Sequence, residues 1–122
     1  MLAAPDKFRG TASAAEVAAA IADGARRAGH VAVECPLADG GEGTLAALGG
    51  PNRSSLVTGP LGDTVQAPWR LQGNLAVIEM ALASGLALVG GAEGNDPIAA
   101  STSGTGELIA QAAESGARRI VV

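Results

Sequence analysis

The spacing of apolar positions changes twice along the chain, and each change marks a new kind of element. Leu2–Ala4 is a short apolar run closed by Pro5, the pattern of a buried strand. Ser13-Ala14-Ala15-Glu16 has the form of a capping box, in which Ser13 accepts from an early amide and Glu16 reaches back. Val17, Ile21, Ala25 and Ala28 then recur at helical spacing up to Gly29, so a helix is predicted from about Ala14 to Ala28. Val31, Val33 and Cys35 alternate with other residues as a second strand would, completing a βαβ unit. Thr44–Leu48 reads as a short helix stopped by Gly49 and Gly50.

From residue 54 the pattern becomes antiparallel. Ser54–Thr58, Thr64–Leu71 and Leu75–Met80 read as three strands, with Gly62-Asp63 and Gly73-Asn74 as turn signals between them. Leu82–Leu88 is a helical turn or loop, and Gly90–Pro97 is a polar loop. A second helix is expected over about Gly106–Ser115, with Leu108, Ile109, Ala112 and Ala113 on one face. Gly116 ends it, and Arg119–Val122 begins a strand. The predicted fold class is α/β: a Rossmann-like lobe over residues 1–60, then the start of a second α/β lobe over 61–122 that contains the β-meander.

Composition narrows the classes. The 122 residues include one Phe, one Trp and no Tyr, against eighteen Gly, so the core must be built from small aliphatic side chains. The chain alone should therefore be only marginally stable. The first strand is short and the last one simply stops, which leads us to expect a piece of something longer. A net charge of −4 with scattered basic residues argues against nucleic acid or an anionic membrane as the main partner. A single cysteine, Cys35, excludes an internal disulfide framework and suits a reducing compartment.

Four segments can carry chemistry. Pro5–Gly10 (PDKFRG) follows a strand and precedes a helix, and Asp6, Lys7 and Arg9 place two cations and a carboxylate together. Such a pair suits a carboxylate or phosphate, although an ordinary solvated loop has the same composition. Ala38–Thr44 (ADGGEGT) sets Asp39 and Glu42 among three glycines. Asp39 there can hold Mg²⁺, take a proton from a hydroxyl, or merely cap a turn. Ser101–Glu107 (STSGTGE) combines hydroxyls and glycines ahead of a helix, which is equally a phosphate site or a well-capped helix start. In Glu79–Gly85 (EMALASG), Glu79 interrupts an apolar run and is read by default as lying on the wet face of a strand. His30, Cys35 and Trp69 read as surface, core and strand-packing residues.

Together these segments resemble the bacterial glycerate kinases. The carrying residues are Ala4–Thr11 (APDKFRGT), Pro36–Thr44 (PLADGGEGT), Val57–Gly62 (VTGPLG), Glu79–Leu86 (EMALASGL) and Ser101–Ile109 (STSGTGELI), in family order. The resemblance implies a two-domain α/β kinase with its site in the cleft, acting in the cytoplasm on D-glycerate with ATP and Mg²⁺, the 2-position favoured. It implies Asp39, Lys7 and Arg9 as catalytic, with Asp39 also the metal ligand. It implies that Asp6, Gly40, Gly41, Glu42, Thr44, Ser84, Ser101, Thr102, Ser103, Gly104 and Thr105 bind substrate. The family continues past the last strand with a glycine-rich GGSAT loop, so this chain alone is expected not to turn over. A binding module that has lost its chemistry, and a structural fragment without function, are the alternatives.

Overall fold

The computed structural model describes residues 1–8 and 11–122 of the chain; the expected role of Arg9 therefore lies outside the described residues. Strand β1 (Leu2–Ala3) leads through a loop to helix α1 (Ala14–Arg27), which returns to β2 (Val33–Glu34). The two strands pair in parallel, Leu2 with Val33 and Ala3 with Glu34, so the βαβ unit is present. The capping box is complete: the Glu16 N–H donates to Ser13 Oγ at 3.2 Å, and the Ser13 N–H donates to Glu16 Oε2 at 2.7 Å. The Ser13 N–H and hydroxyl hold the Glu16 carboxyl below the usual glutamate range.

The buried stripe of α1 is Ala18, Ala22 and Ala25. It lies one residue round from the expected Val17–Ile21 line, and Ile21 is 41% exposed. Alanine's small side chain lets the helix lie close to β1 and β2, and Ala3, Ala18 and Ala22 form a small cluster there.

After the short helix α2 (Thr44–Ala47), strands β3 (Arg53–Thr58), β4 (Thr64–Gln72) and β5 (Leu75–Val77) form the expected antiparallel meander. Strand β6 (Arg119–Val121) then pairs in parallel with β5, giving a mixed sheet of order β3-β4-β5-β6. The two sheets part between Glu34 and Arg53. A boundary at residue 60 would split β3 from the partner it pairs with over its whole length.

Helix α4 (Ser103–Glu114) packs on β3, and the turn α3 (Ala81–Ser84) packs on α4 and β4. The main core joins Val57, Ala67, Trp69, Ala76, Ile78, Leu108 and Ala112. Trp69 is buried and donates its Nε1–H to Ser55 Oγ at 3.0 Å, so it packs and does not present a stacking face. Helix α4 begins three residues earlier than its sequence pattern suggests and buries Gly104, Thr105, Leu108 and Ala112, leaving Ile109 and Ala113 exposed. A methyl at Gly104 would overlap the Thr58 carbonyl oxygen, so glycine is what lets the helix seat on β3.

Candidate functional site

The loop after β1 and the loop after β2 end side by side because their strands are neighbours in parallel register. This placement at the carboxyl ends of parallel strands is where open α/β sheets present ligand-binding residues. Lys7 comes from the first loop and Asp39 from the second, and Lys7 Nζ donates to Asp39 Oδ1 at 3.1 Å. Asp6 Oδ1 lies 3.9 Å from the same ammonium and accepts the Lys7 N–H at 2.6 Å. The lysine head is thus set between two carboxylates, and its side chain is 18% exposed.

Asp39 is also fixed by the Gly41 N–H, which donates to the same Oδ1 at 3.0 Å. That amide first, and the Lys7 ammonium second, hold the Asp39 carboxyl below the usual aspartate range. Gly40 and Gly43 have φ of 96° and 95°, a backbone form that side chains resist, so these two glycines are required by the loop's path. Thr44 is buried, and its hydroxyl donates to the Gly41 carbonyl at 2.7 Å, so it braces the loop from within.

A cavity of about 500 Å³ opens beside this group, within the range of about 300–1,000 Å³ usual for small-molecule sites. Asp6, Lys7 and Glu42 are among its charged lining residues, and Phe8, Pro36, Leu37 and Ala47 contribute apolar wall.

The remaining expected site residues form a second group. Ser84, closing α3, shares a hydrogen bond of 2.8 Å with the buried hydroxyl of Thr105 in the first turn of α4. Ser101 and Ser103 share one of 2.7 Å, both exposed, and the Ser103 N–H donates to Ser101 Oγ at 3.1 Å. Thr102 stands at the N-cap without a side-chain cap bond, and Gly104 faces β3. Among the described residues, no hydrogen bond or ion pair joins the Lys7–Asp39 group to the Ser84–Thr105 group.

Three residues outside the expected set prove structurally central. Glu79 is 6% exposed, which overturns the wet-face reading. Its Oε2 accepts from the Gly43 N–H at 3.1 Å and the Leu45 N–H at 3.0 Å, so the carboxylate is buried because it has partners. Its place inside an apolar run was the available signal. Arg70 donates to the carbonyls of Gly49 and Gly50 at 2.8 and 2.9 Å. Glu107 accepts the Thr58 N–H at 2.9 Å, and Thr58, through its side chain and N–H, holds the Glu107 carboxyl low.

Among the described residues, no three His, Cys, Asp or Glu side chains converge as a metal cage. Asp39 keeps one oxygen outside its bonds to Lys7 and Gly41, and its side chain is 56% exposed. Such a donor set fits a cation that arrives with other ligands, as Mg²⁺ does with phosphates. No helix among the described residues is long and apolar enough to cross a membrane.

These features define an α/β chain with a lysine–carboxylate pair built on a glycine-rich loop at the carboxyl ends of parallel strands. The chain belongs to the glycerate kinase family, whose model matches residues 1–122. It is 50% identical to the glycerate 2-kinase of Escherichia coli K12, covering 98% of this chain and 33% of that one. It is 44% identical to the glycerate kinase of Halalkalibacterium halodurans, again over 98% of this chain and 33% of the relative. A crystal structure from Salmonella typhimurium LT2, assigned as glycerate kinase 2, superposes with a TM-score of 0.79 at 42% identity, covering 98% of this chain and 34% of that one. The chain thus spans about a third of the length of these relatives.

Proposed function

We propose that these residues supply part of the active site of a cytoplasmic enzyme that phosphorylates D-glycerate with ATP, the 2-hydroxyl being the acceptor. The observation that supports this most is the Lys7–Asp39 pair, 3.1 Å apart beside a cavity of small-molecule size. In this reading the Lys7 ammonium, which has three donors, keeps an N–H for the glycerate carboxylate while holding Asp39. Asp6, Lys7 and Asp39 sum to one negative charge, which Arg9, in the same stretch of sequence, would offset.

Asp39, held below the usual aspartate range, is a weak base but a firm acceptor. That suits orienting the substrate hydroxyl, because phosphoryl transfer relies chiefly on positioning and charge stabilisation. The proton of the hydroxyl passes to Asp39 and on to water as the new oxygen–phosphorus bond forms and ADP departs. Asp39 would also give one oxygen to Mg²⁺, which neutralises phosphate charge when bound. Gly40, Gly41 and Glu42 shape the loop around the substrate. The exposed hydroxyls of Ser101 and Ser103, with Ser84, Thr102, Gly104 and Thr105 behind them, would face the phosphates. Calorimetric titration of D-glycerate into the whole chain tests the assignment. Saturable binding that disappears in Lys7→Ala and weakens in Asp39→Ala is expected; equal binding by all three would refute it.

A further inference from the structure

Helix α2 has four residues, too few to hold itself together, because a first helical turn is costly to nucleate. The loop that bears Asp39 runs directly into it. The start of α2 and the glycine turn beyond it are both gripped by residues on or next to the larger sheet. At the start, Glu79 Oε2 accepts from the Gly43 and Leu45 N–H groups, which lie 36 and 34 residues away in the chain. Past its finish, the Arg70 guanidinium donates to the carbonyls of Gly49 and Gly50.

Glu79 follows β5 and lies just before α3, and Arg70 sits on β4, the neighbouring strand. These bonds therefore tie the glycine-rich loop after one sheet to the frame of the other. Gly43, a Glu79 partner, is separated from Gly41 by one residue, and Gly41 in turn holds Asp39. Releasing Glu79 would free the backbone that aims the Gly41 amide.

We infer that Glu79, with Arg70 opposite, is a positioning residue that holds the Asp39 loop in its Lys7-facing form. The link to substrate rests on the function proposed above, whereas the link to loop geometry does not. The test is made on the whole chain labelled with ¹⁵N. In Glu79→Ala, exchange of the Gly41, Gly43 and Leu45 amides should speed up by about a hundredfold, the equivalent of losing charge-assisted hydrogen bonds. Amides of β3 and β4 should keep their protection. Glu79→Gln retains an acceptor of the same reach and should restore exchange to within about fivefold of the parent, and D-glycerate affinity with it.

Unchanged Gly41 exchange in folded Glu79→Ala, or no rescue by glutamine, overturns the inference. If the alanine variant does not fold, Glu79→Asp, which withdraws the carboxylate by one methylene, is read in the same way. Loss of the fold in both makes Glu79 a general folding residue and also overturns it. A parent chain that shows the exchange pattern but binds no glycerate refutes the proposed function and leaves the positioning role standing.

Discussion

Two glycines of helix α4 stand two positions apart and should respond to the same substitution with opposite signs. At Gly104, an added Cβ would overlap the Thr58 carbonyl oxygen and sit 3.0 Å from the Thr58 carbonyl carbon and 3.2 Å from Val57 Cγ2. Carbon pairs settle at about 3.5–4.0 Å, so the helix must back away from β3 by roughly half an ångström or more. Overpacking of this kind costs about 1–3 kcal/mol or more, and backbone on the far side gives little. Against backbone the cost falls in the upper part of that range, about 2–3 kcal/mol, and alanine's better helix propensity returns about 1 kcal/mol, which leaves Gly104→Ala destabilised by roughly 1–2 kcal/mol. The retreat would also stretch the Ser84–Thr105 and Glu107–Thr58 hydrogen bonds. At Gly106 an added Cβ meets nothing within 4 Å. Gly106→Ala should therefore stabilise by about 0.5–1 kcal/mol. Urea titration followed by circular dichroism reads both as shifts of midpoint at constant slope. A Gly104→Ala chain as stable as its parent, or equal losses at both positions, would refute the close seating of α4 on β3.

Other outcomes follow from the same contacts. Leu108 is fully buried in the main core, so Leu108→Ala should cost about 2–5 kcal/mol in the same titration. Ser13→Ala removes the side-chain half of the α1 capping box and should cost about 1 kcal/mol. Asp39, Glu16 and Glu107 all have carboxyls held below their ordinary range in the folded chain. The folded state then binds fewer protons than the unfolded one, so their stabilisation is present above the ordinary carboxylate range and is lost as pH falls below about 4. Urea midpoints measured at descending pH should drop through that window, and the drop should shrink in Ser13→Ala.

The parts of the fold that were legible in the sequence were those set by near neighbours. The α1 cap rests on Ser13 and Glu16, three residues apart, and the turn at Gly73-Asn74 sits directly between β4 and β5. The parallel return of β6 onto β5 was not legible, because it joins residues more than forty positions apart and leaves no local pattern. The early start of α4 was hidden by Gly104 and Gly106, poor helix formers whose position is decided by packing on β3. At the candidate site, Lys7 and Asp39 were both visible as charges on loops, and the parallel pairing of β1 and β2 explains why they meet. Thr44, expected to bind substrate, donates its hydroxyl to the Gly41 carbonyl, a partner that sequence alone does not show. The burial of Glu79 escaped the sequence because its partners are backbone amides, which carry no side-chain signature.

The most direct test is transplantation. Residues 1–122 would replace the matching third of the Escherichia coli glycerate 2-kinase, to which they are 50% identical. The chimera would be supplied with D-glycerate and MgATP and its product identified by ³¹P NMR. Our account predicts 2-phosphoglycerate from the chimera and at least about a hundredfold less from its Lys7→Ala and Asp39→Asn variants. A folded chimera that makes no phosphoglycerate, or variants that match the unsubstituted chimera, would contradict it.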